Sequence, residues 1–208
     1  IDNGIEGRLN FGYVGSAMKN LIPRLLLNFK EKYKNVIFDL KEMDNQHQIE
    51  QLLSNEIDIG FVRLERVPKE LESFQVLVEP FCLVLPQNHI INQENFEGLH
   101  QFKEESFILF DASYSPSYYE KVMQLFDDSG FAPKTSHSTI HSSSIYSLVE
   151  NGFGISIVPE SLQIQNKNKV KFISLNKLKQ RTILSAVWNK NSSNASLIHL
   201  LEVLKLNV

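Results

Sequence analysis

The feature that most constrains this chain is the alternation of short apolar strands with helical patterns through its first third. "LNFGYV" (Leu9 to Val14) reads as a buried strand. Met18, Leu21, Ile22, Leu25, Leu26, Phe29 and Tyr33 then recur three or four apart, one apolar helical face. Pro23 is tolerated only in a helix's first turn, so the regular helix begins near Leu21 or an earlier turn kinks there. "NVIFDLKEM" is a second strand, and "DNQHQIEQLLSNE" a helix with Asn45 as N-cap and Gln48 completing a capping box. "IDIGFVR" is a third strand. Such strand–helix repeats with short joints imply right-handed crossovers and a parallel sheet covered on both faces. Ligands bind such sheets beyond the carboxyl ends of the strands. Ser16, Asn45 and Arg63 stand at three successive ends of this kind.

The middle of the chain changes character. "FQVLVEPFCLVLP" is an extended crossing segment, followed by a polar loop through Gln87, Asn88 and His89. "SFILFD" is a strand, and Tyr118 to Asp128 a helix with Val122, Met123, Leu125 and Phe126 as its apolar face. "TSHSTIHSSSIYSLVENGFGISIVP" gives strand, serine-rich cap, short helix, glycine turn and strand. "RTILSAVW" is a further strand, and Ser196 to Leu206 a final amphipathic helix. Two similar halves joined by an extended crossing predict two α/β lobes with a cleft between them. The expected divisions are residues 8–79 with 181–208 as the first lobe and 80–180 as the second. Residues 1–7, polar and with two glycines, read as a linker from something upstream.

Several function classes are excluded at this level. A net charge of -3 and a pI near 6.1 argue against this chain gripping nucleic acid by itself, because phosphate binding needs a clustered positive surface. No apolar run approaches the roughly 20 residues of a membrane span, and no membrane partner is expected. Cys82 stands alone within "FCLVLP" and reads as a buried thiol. No GxSxG elbow, HExxH, CxxC pair or Walker lysine motif is present, so no enzyme activity is expected. His137 and His141 are four apart, but on a strand that spacing separates them by about 13 Å. Neither a metal nor a cofactor is expected.

The small-residue junctions remain. In "GYVGSAM", Ser16 is either an ordinary cap of a strand-to-helix turn or part of an anion site. In the second case its hydroxyl joins the backbone N–H groups of Ala17 and Met18 at the helix start. "HSSSIYSLVENG" repeats the device, with Ser142 and Ser143 before an apolar helix. Arg63 is either a solvated surface arginine or the fixed cation that sets a preference for acids. Tyr114, Tyr118 and Tyr119 around Pro116 are rim packing or an aromatic wall for a planar ligand.

Taken in order, "GRLNFGYVGSAM", "LIPRLLLNFKEKY", "EIDIGFVRL", "EPFCLVLPQNH", "SFILFD" and "GFGISIVP" resemble the effector-binding domain of LysR-type transcriptional regulators. They cover about residues 7 to 190. "GYVGSAMKNLIPRLL", "EMDNQHQIEQL" and "GFVRL" are similar to the branch controlling aromatic-compound degradation, whose members sense benzoate, muconate and related acids. The resemblance implies a two-lobed type 2 periplasmic-binding-protein-like fold with two crossing strands and an interlobe cleft. It implies a cytoplasmic regulator that is a homodimer or tetramer and reaches DNA only through a missing N-terminal winged helix-turn-helix domain. The inducer contacts it implies are Ser16, Ala17, Met18 and Asn45, with Ser115, Pro116, Tyr118 and Ser142 in the second lobe. Arg63, His141 and Phe153 complete the expected set. Asn45 stands where muconate-sensing relatives have threonine, and His141 where they have an acid. Leu77 replaces an arginine of the benzoate-responsive relative. These departures point to a hydroxybenzoate- or hydroxycinnamate-like acid rather than muconate. The competing expectation is a secreted solute-binding protein of a transporter, which shares the fold.

Overall fold

Two five-stranded sheets collect their strands from separate stretches of the chain. The computed structural model describes residues 7–163 and 169–206. Its strands are β1 (Gly7–Tyr13), β2 (Val36–Glu42), β3 (Ile59–Val62), β4 (Leu71–Glu79), β5 (Phe81–Pro86), β6 (Ser106–Phe110), β7 (Lys134–Thr139), β8 (Ile155–Pro159), β9 (Val170–Ser174) and β10 (Thr182–Asn189). The α-helices are α1 (Leu21–Lys32), α2 (Asn45–Leu53), α3 (Pro116–Asp128), α4 (Ser142–Glu150) and α5 (Ala195–Leu206). Two units emerge, Ile1–Leu77 with Ile183–Val208, and Val78–Thr182. The expected linker falls outside the described residues except for Gly7, which opens β1.

In the first unit the strand order is β2-β1-β3-β10-β4. β1 runs parallel to both β2 and β3, as the strand–helix repeat predicts. The complete sheet is mixed, because β10 pairs antiparallel to β3. Pro23 is the third residue of α1, inside the first turn, where its missing N–H leaves no hydrogen bond unmade. The preceding residues Gly15–Met18 form a separate 3-10 turn. Leu9, Phe11, Ile22, Leu25, Phe29 and Phe61 are buried. Each such side chain contributes about 1.5–3 kcal/mol relative to an exposed one. Phe11 and Phe61 stack at 6.1 Å across the paired strands.

In the second unit the order is β7-β6-β8-β5-β9. β6 is parallel to β7 and β8, whereas β5 is antiparallel to β8 and β9. Pro80 separates β4 from β5, since it has no N–H to offer a ladder. Phe81, Phe107, Val122, Leu125, Phe126 and Ile157 share one core. α4 ends at Glu150, and Gly152 follows with φ 78°, a left-handed conformation that suits glycine. In both units the parallel strands discharge into loops at their carboxyl ends.

Candidate functional site

Ser16, Asn45 and Arg63 are joined by hydrogen bonds. The Arg63 Nε–H donates to Ser16 Oγ at 3.0 Å. The Asn45 side chain grips Arg63's backbone on both sides: Oδ1 accepts from the Arg63 N–H at 3.1 Å, and Nδ2 donates to the Arg63 carbonyl at 3.2 Å. An amide side chain thus takes the place of a neighbouring strand just where β3 ends. Arg63 is only 4% exposed and Asn45 2%, so Arg63 is not the solvated surface arginine of the first alternative. A guanidinium fixed in this way presents a planar fork matched to the two oxygens of a carboxylate.

Two local expectations change. Ser16 does not cap α1. It lies within the 3-10 turn, whose N-cap is Val14, and the Ala17 amide donates to Val14's carbonyl at 2.9 Å. Ala17 is fully buried, so it supplies no outward amide. Met18 ends the same turn, with Lys19 and Asn20 between it and the start of α1. Asn45 is not the N-cap of α2 either. Asp44 is, with Oδ1 accepting from the His47 amide at 2.9 Å. A carboxylate is favoured there by the helix field as well as by the hydrogen bond. The one-residue shift releases Asn45's amide for Arg63. Asp44 is the residue that sequence reasoning missed. Its signal was the Asx residue just before Asn45, hidden by the capping-box spacing of Asn45 and Gln48.

His47 stacks a second interaction on Asp44, its Nδ1 lying 2.6 Å from Oδ2. That hydrogen bond, then the carboxylate's charge, raises the His47 pKa above its ordinary value of 6.5. Tyr13 and Glu42 end adjacent strands in register. The Tyr13 hydroxyl is raised mainly by burial and secondarily by the Glu42 charge.

In the second unit, Ser115 and Pro116 begin α3 after β6, while His141 and Ser142 begin α4 after β7. Both pairs therefore stand at carboxyl ends of neighbouring parallel strands. His141, not Ser142, is the N-cap of α4, and its side chain makes no cap bond. The Tyr146 hydroxyl, one turn on from Ser142, donates to the Leu162 carbonyl. Ser115 is buried at the α3 N-cap position. Asp111, absent from the expected set, sits among them. Hydrogen bonds from the Ser113 hydroxyl and amide hold its carboxyl below the usual range, with Ser138 and the Tyr114 amide adding to the effect. Its signal in the sequence is the acid closing the strand "SFILFD".

Two expected contacts do not join this group. Tyr118 is buried in the core, its ring 5.6 Å from Phe81, and its hydroxyl donates to the Ile157 carbonyl at 3.0 Å. It is a core tyrosine with a satisfied hydroxyl rather than a wall. Phe153 lies just before β8, at the amino end of the parallel strands, where the Ser136 hydroxyl donates to its carbonyl. A five-residue strand puts that end about 13 Å from the carboxyl end. Phe153 is 53% exposed, with its ring against His137.

Among the described residues no group of three or more His, Cys, Asp or Glu could hold a metal ion. No helix among them is long and apolar enough to cross a membrane. Burial drives the Cys82 thiol far above its ordinary value, so it stays protonated. An open apolar groove lies between α1 and β2, lined by Leu26, Leu27, Ile37 and Leu40 with Lys30 and Lys34. It contains none of the strand-end residues.

A family model described as the LysR substrate binding domain matches residues 2–206. The HTH-type transcriptional regulator CatR of Pseudomonas putida is 31% identical over 176 residues, covering 84% of this chain and 60% of CatR. The HTH-type transcriptional regulator BenM of Acinetobacter baylyi is 29% identical over 161 residues, covering 76% of this chain and 53% of BenM. The chain thus spans little more than half the length of these relatives. They are transcriptional regulators, not enzymes. In backbone, the BenM effector binding domain with its effector benzoate superposes with TM-score 0.81 at 24% identity, covering 97% of this chain and 92% of that one. The effector binding domain of QuiR in complex with shikimate gives 0.83 at 19%, covering 96% of each chain.

Proposed function

The chain belongs to the LysR substrate-binding domain family, and from that premise we propose that it is the effector-sensing part of a transcriptional regulator, responsive to a small carboxylic acid. The observation that carries the proposal is the buried Arg63 guanidinium, oriented by Ser16 and by Asn45's grip on its backbone. A carboxylate meeting it at the end of β3 gains charge-assisted hydrogen bonds worth about 1.5–3 kcal/mol each. On this reading the carboxylate is held by the Ser16–Asn45–Arg63 group, without the Ala17 amide, which is bonded to Val14.

Ring-bearing acids are the favoured class. BenM's effector domain holds benzoate and QuiR's holds shikimate, both rings carrying one carboxylate. Taken by itself, the second unit places Ser115, His141 and Ser142 at the carboxyl ends of its own parallel strands. Within that class a hydroxybenzoate or hydroxycinnamate is the favoured acid, on the departures at Asn45 and His141 from muconate-sensing relatives. Binding regulates only through a difference in affinity between two arrangements of the protein. DNA contact falls to a part of the regulator outside residues 1–208, since this chain's charge of -3 suits no phosphate surface. Self-association is assigned to the α1–β2 face, where Leu27, Ile37 and Leu40 are exposed.

The test is a thermal-shift titration against benzoate, 4-hydroxybenzoate, 4-hydroxycinnamate, shikimate, muconate, amino acids and sugars. An effector at 100 times its dissociation constant stabilises the folded state by about 2.7 kcal/mol. Stabilisation by ring acids alone supports the proposal. Stabilisation only by amino acids or sugars overturns it.

A further inference from the structure

Gln48 is fully buried on α2, yet its Oε1 has no hydrogen-bond partner among the described residues. Its Nε2 donates to the Met43 carbonyl at 3.0 Å. The side chain lies against two glycines, Gly12 of β1 and Gly60 of β3, which are register partners in the parallel pair. A Cβ on Gly60 would fall 2.9 Å from Oε1, and one on Gly12 would fall 3.0 Å from the Gln48 Cγ. Two bare backbones thus make the slot that this amide fills. Leucine or methionine would occupy comparable space without burying an unpaired oxygen, which is a net cost to the fold. What glutamine alone supplies here is the N–H to Met43.

That bond matters because of what Met43 leads to. The Met43 amide donates to the Tyr13 carbonyl at the end of β1, at 3.1 Å. With Gln48 on its carbonyl, Met43 is held from both sides. Asp44 then caps α2, and Asn45 turns its amide onto Arg63. We propose that Gln48 is a positioning residue for the effector carboxylate: through Met43 it sets Asn45, and through Asn45 the guanidinium that rests on Ser16. The inference rests on the reading of Ser16, Asn45 and Arg63 as the carboxylate site.

The experiment uses the 208-residue chain and two variants, Gln48→Met, which keeps volume and removes both polar atoms, and Gln48→Asn, which withdraws the amide by one methylene. The first readout needs no ligand: the solvent exchange of the Arg63 Nε–H by NMR, beside the backbone amides of Phe11 and Phe61. The expected result is exchange at Arg63 Nε–H faster by about fivefold, the factor of one ordinary hydrogen bond, with Phe11 and Phe61 as protected as in the parent. Arg63 exchange equal to the parent in either folded variant overturns the proposal. So does failure of both variants to fold, which would make Gln48 an ordinary core residue. The second readout is benzoate affinity by calorimetry, expected to fall by a comparable factor in Gln48→Met. If the parent binds no ring acid while Arg63 exchange still responds, the positioning role stands and the effector assignment fails.

Discussion

The Arg63 guanidinium rests on the hydroxyl of Ser16, 3.0 Å from Nε to Oγ, across 47 residues of sequence. On the proposed reading, a cation so aligned at the end of a parallel strand meets a carboxylate with its orienting hydrogen bond already made.

Replacing Ser16 with Ala removes that bond while leaving the 3-10 turn's backbone hydrogen bonds in place. The expected outcome is about tenfold weaker binding of benzoate or 4-hydroxybenzoate, the loss of one charge-assisted bond. Calorimetry measures the affinity, and a thermal melt within a few degrees of the parent shows that the fold is intact. Unchanged affinity would reduce Ser16 to a turn residue.

Replacing Asn45 with Ala strands two buried backbone groups of Arg63 at once. Each unsatisfied group costs about 1–3 kcal/mol, so urea denaturation should show a loss of at least about 2 kcal/mol. A loss below about 0.5 kcal/mol, the scale of an ordinary surface change, would mean that water replaces the amide.

Tyr118→Phe separates packing from binding. The Ile157 carbonyl loses its donor, at a cost of about 1 kcal/mol in stability, while ring-acid affinity stays at the parent value. An affinity change larger than the stability change would return Tyr118 to the binding surface.

The Asp44–His47 pair makes a pH prediction. The folded-state pKa of His47 is raised, so the pair's stabilisation is present below the unfolded value near 6.5. It fades as pH rises through the higher folded value. An NMR titration should find His47 titrating above 6.5, and Asp44→Ala should bring it back down. The same substitution removes the α2 cap, at about 1 kcal/mol. A His47 midpoint untouched by Asp44→Ala would disprove the pairing.

Ile37→Glu tests self-association. Ile37 is 56% exposed on β2, the edge strand of its sheet, and a charge there disfavours pairing with another edge. Sedimentation should show the parent associating and the variant shifted toward monomer. Equal masses at equal concentration would place the interface elsewhere.

The alternation of strands and helices was readable because period-two and period-3.6 patterns are local and each buries a face. β1, α1, β2, α2 and β3 all follow from the spacing of residues such as Leu9, Phe11, Ile22, Leu25 and Phe29. β9 did not emerge from its own sequence. "VKFIS" has no turn signal of the usual kind, and it becomes a strand by pairing with β5, about ninety residues earlier in its register of Cys82 with Ser174. The caps were misjudged by one residue at α2 because Asp44 and Asn45 are both good caps. Only the partner waiting at Arg63 decides which of them turns inward.

Sequence alone determined the α/β class, the resemblance to a regulator family and the three polar strand ends, since these depend on periodicity and short motifs. It could not distinguish a ligand wall from a core tyrosine at Tyr118, or a surface arginine from a buried one at Arg63. Those outcomes depend on whether a distant carbonyl, hydroxyl or amide stands within hydrogen-bond reach. Tertiary structure decided them, by bringing Ile157 to Tyr118 and both Ser16 and Asn45 to Arg63.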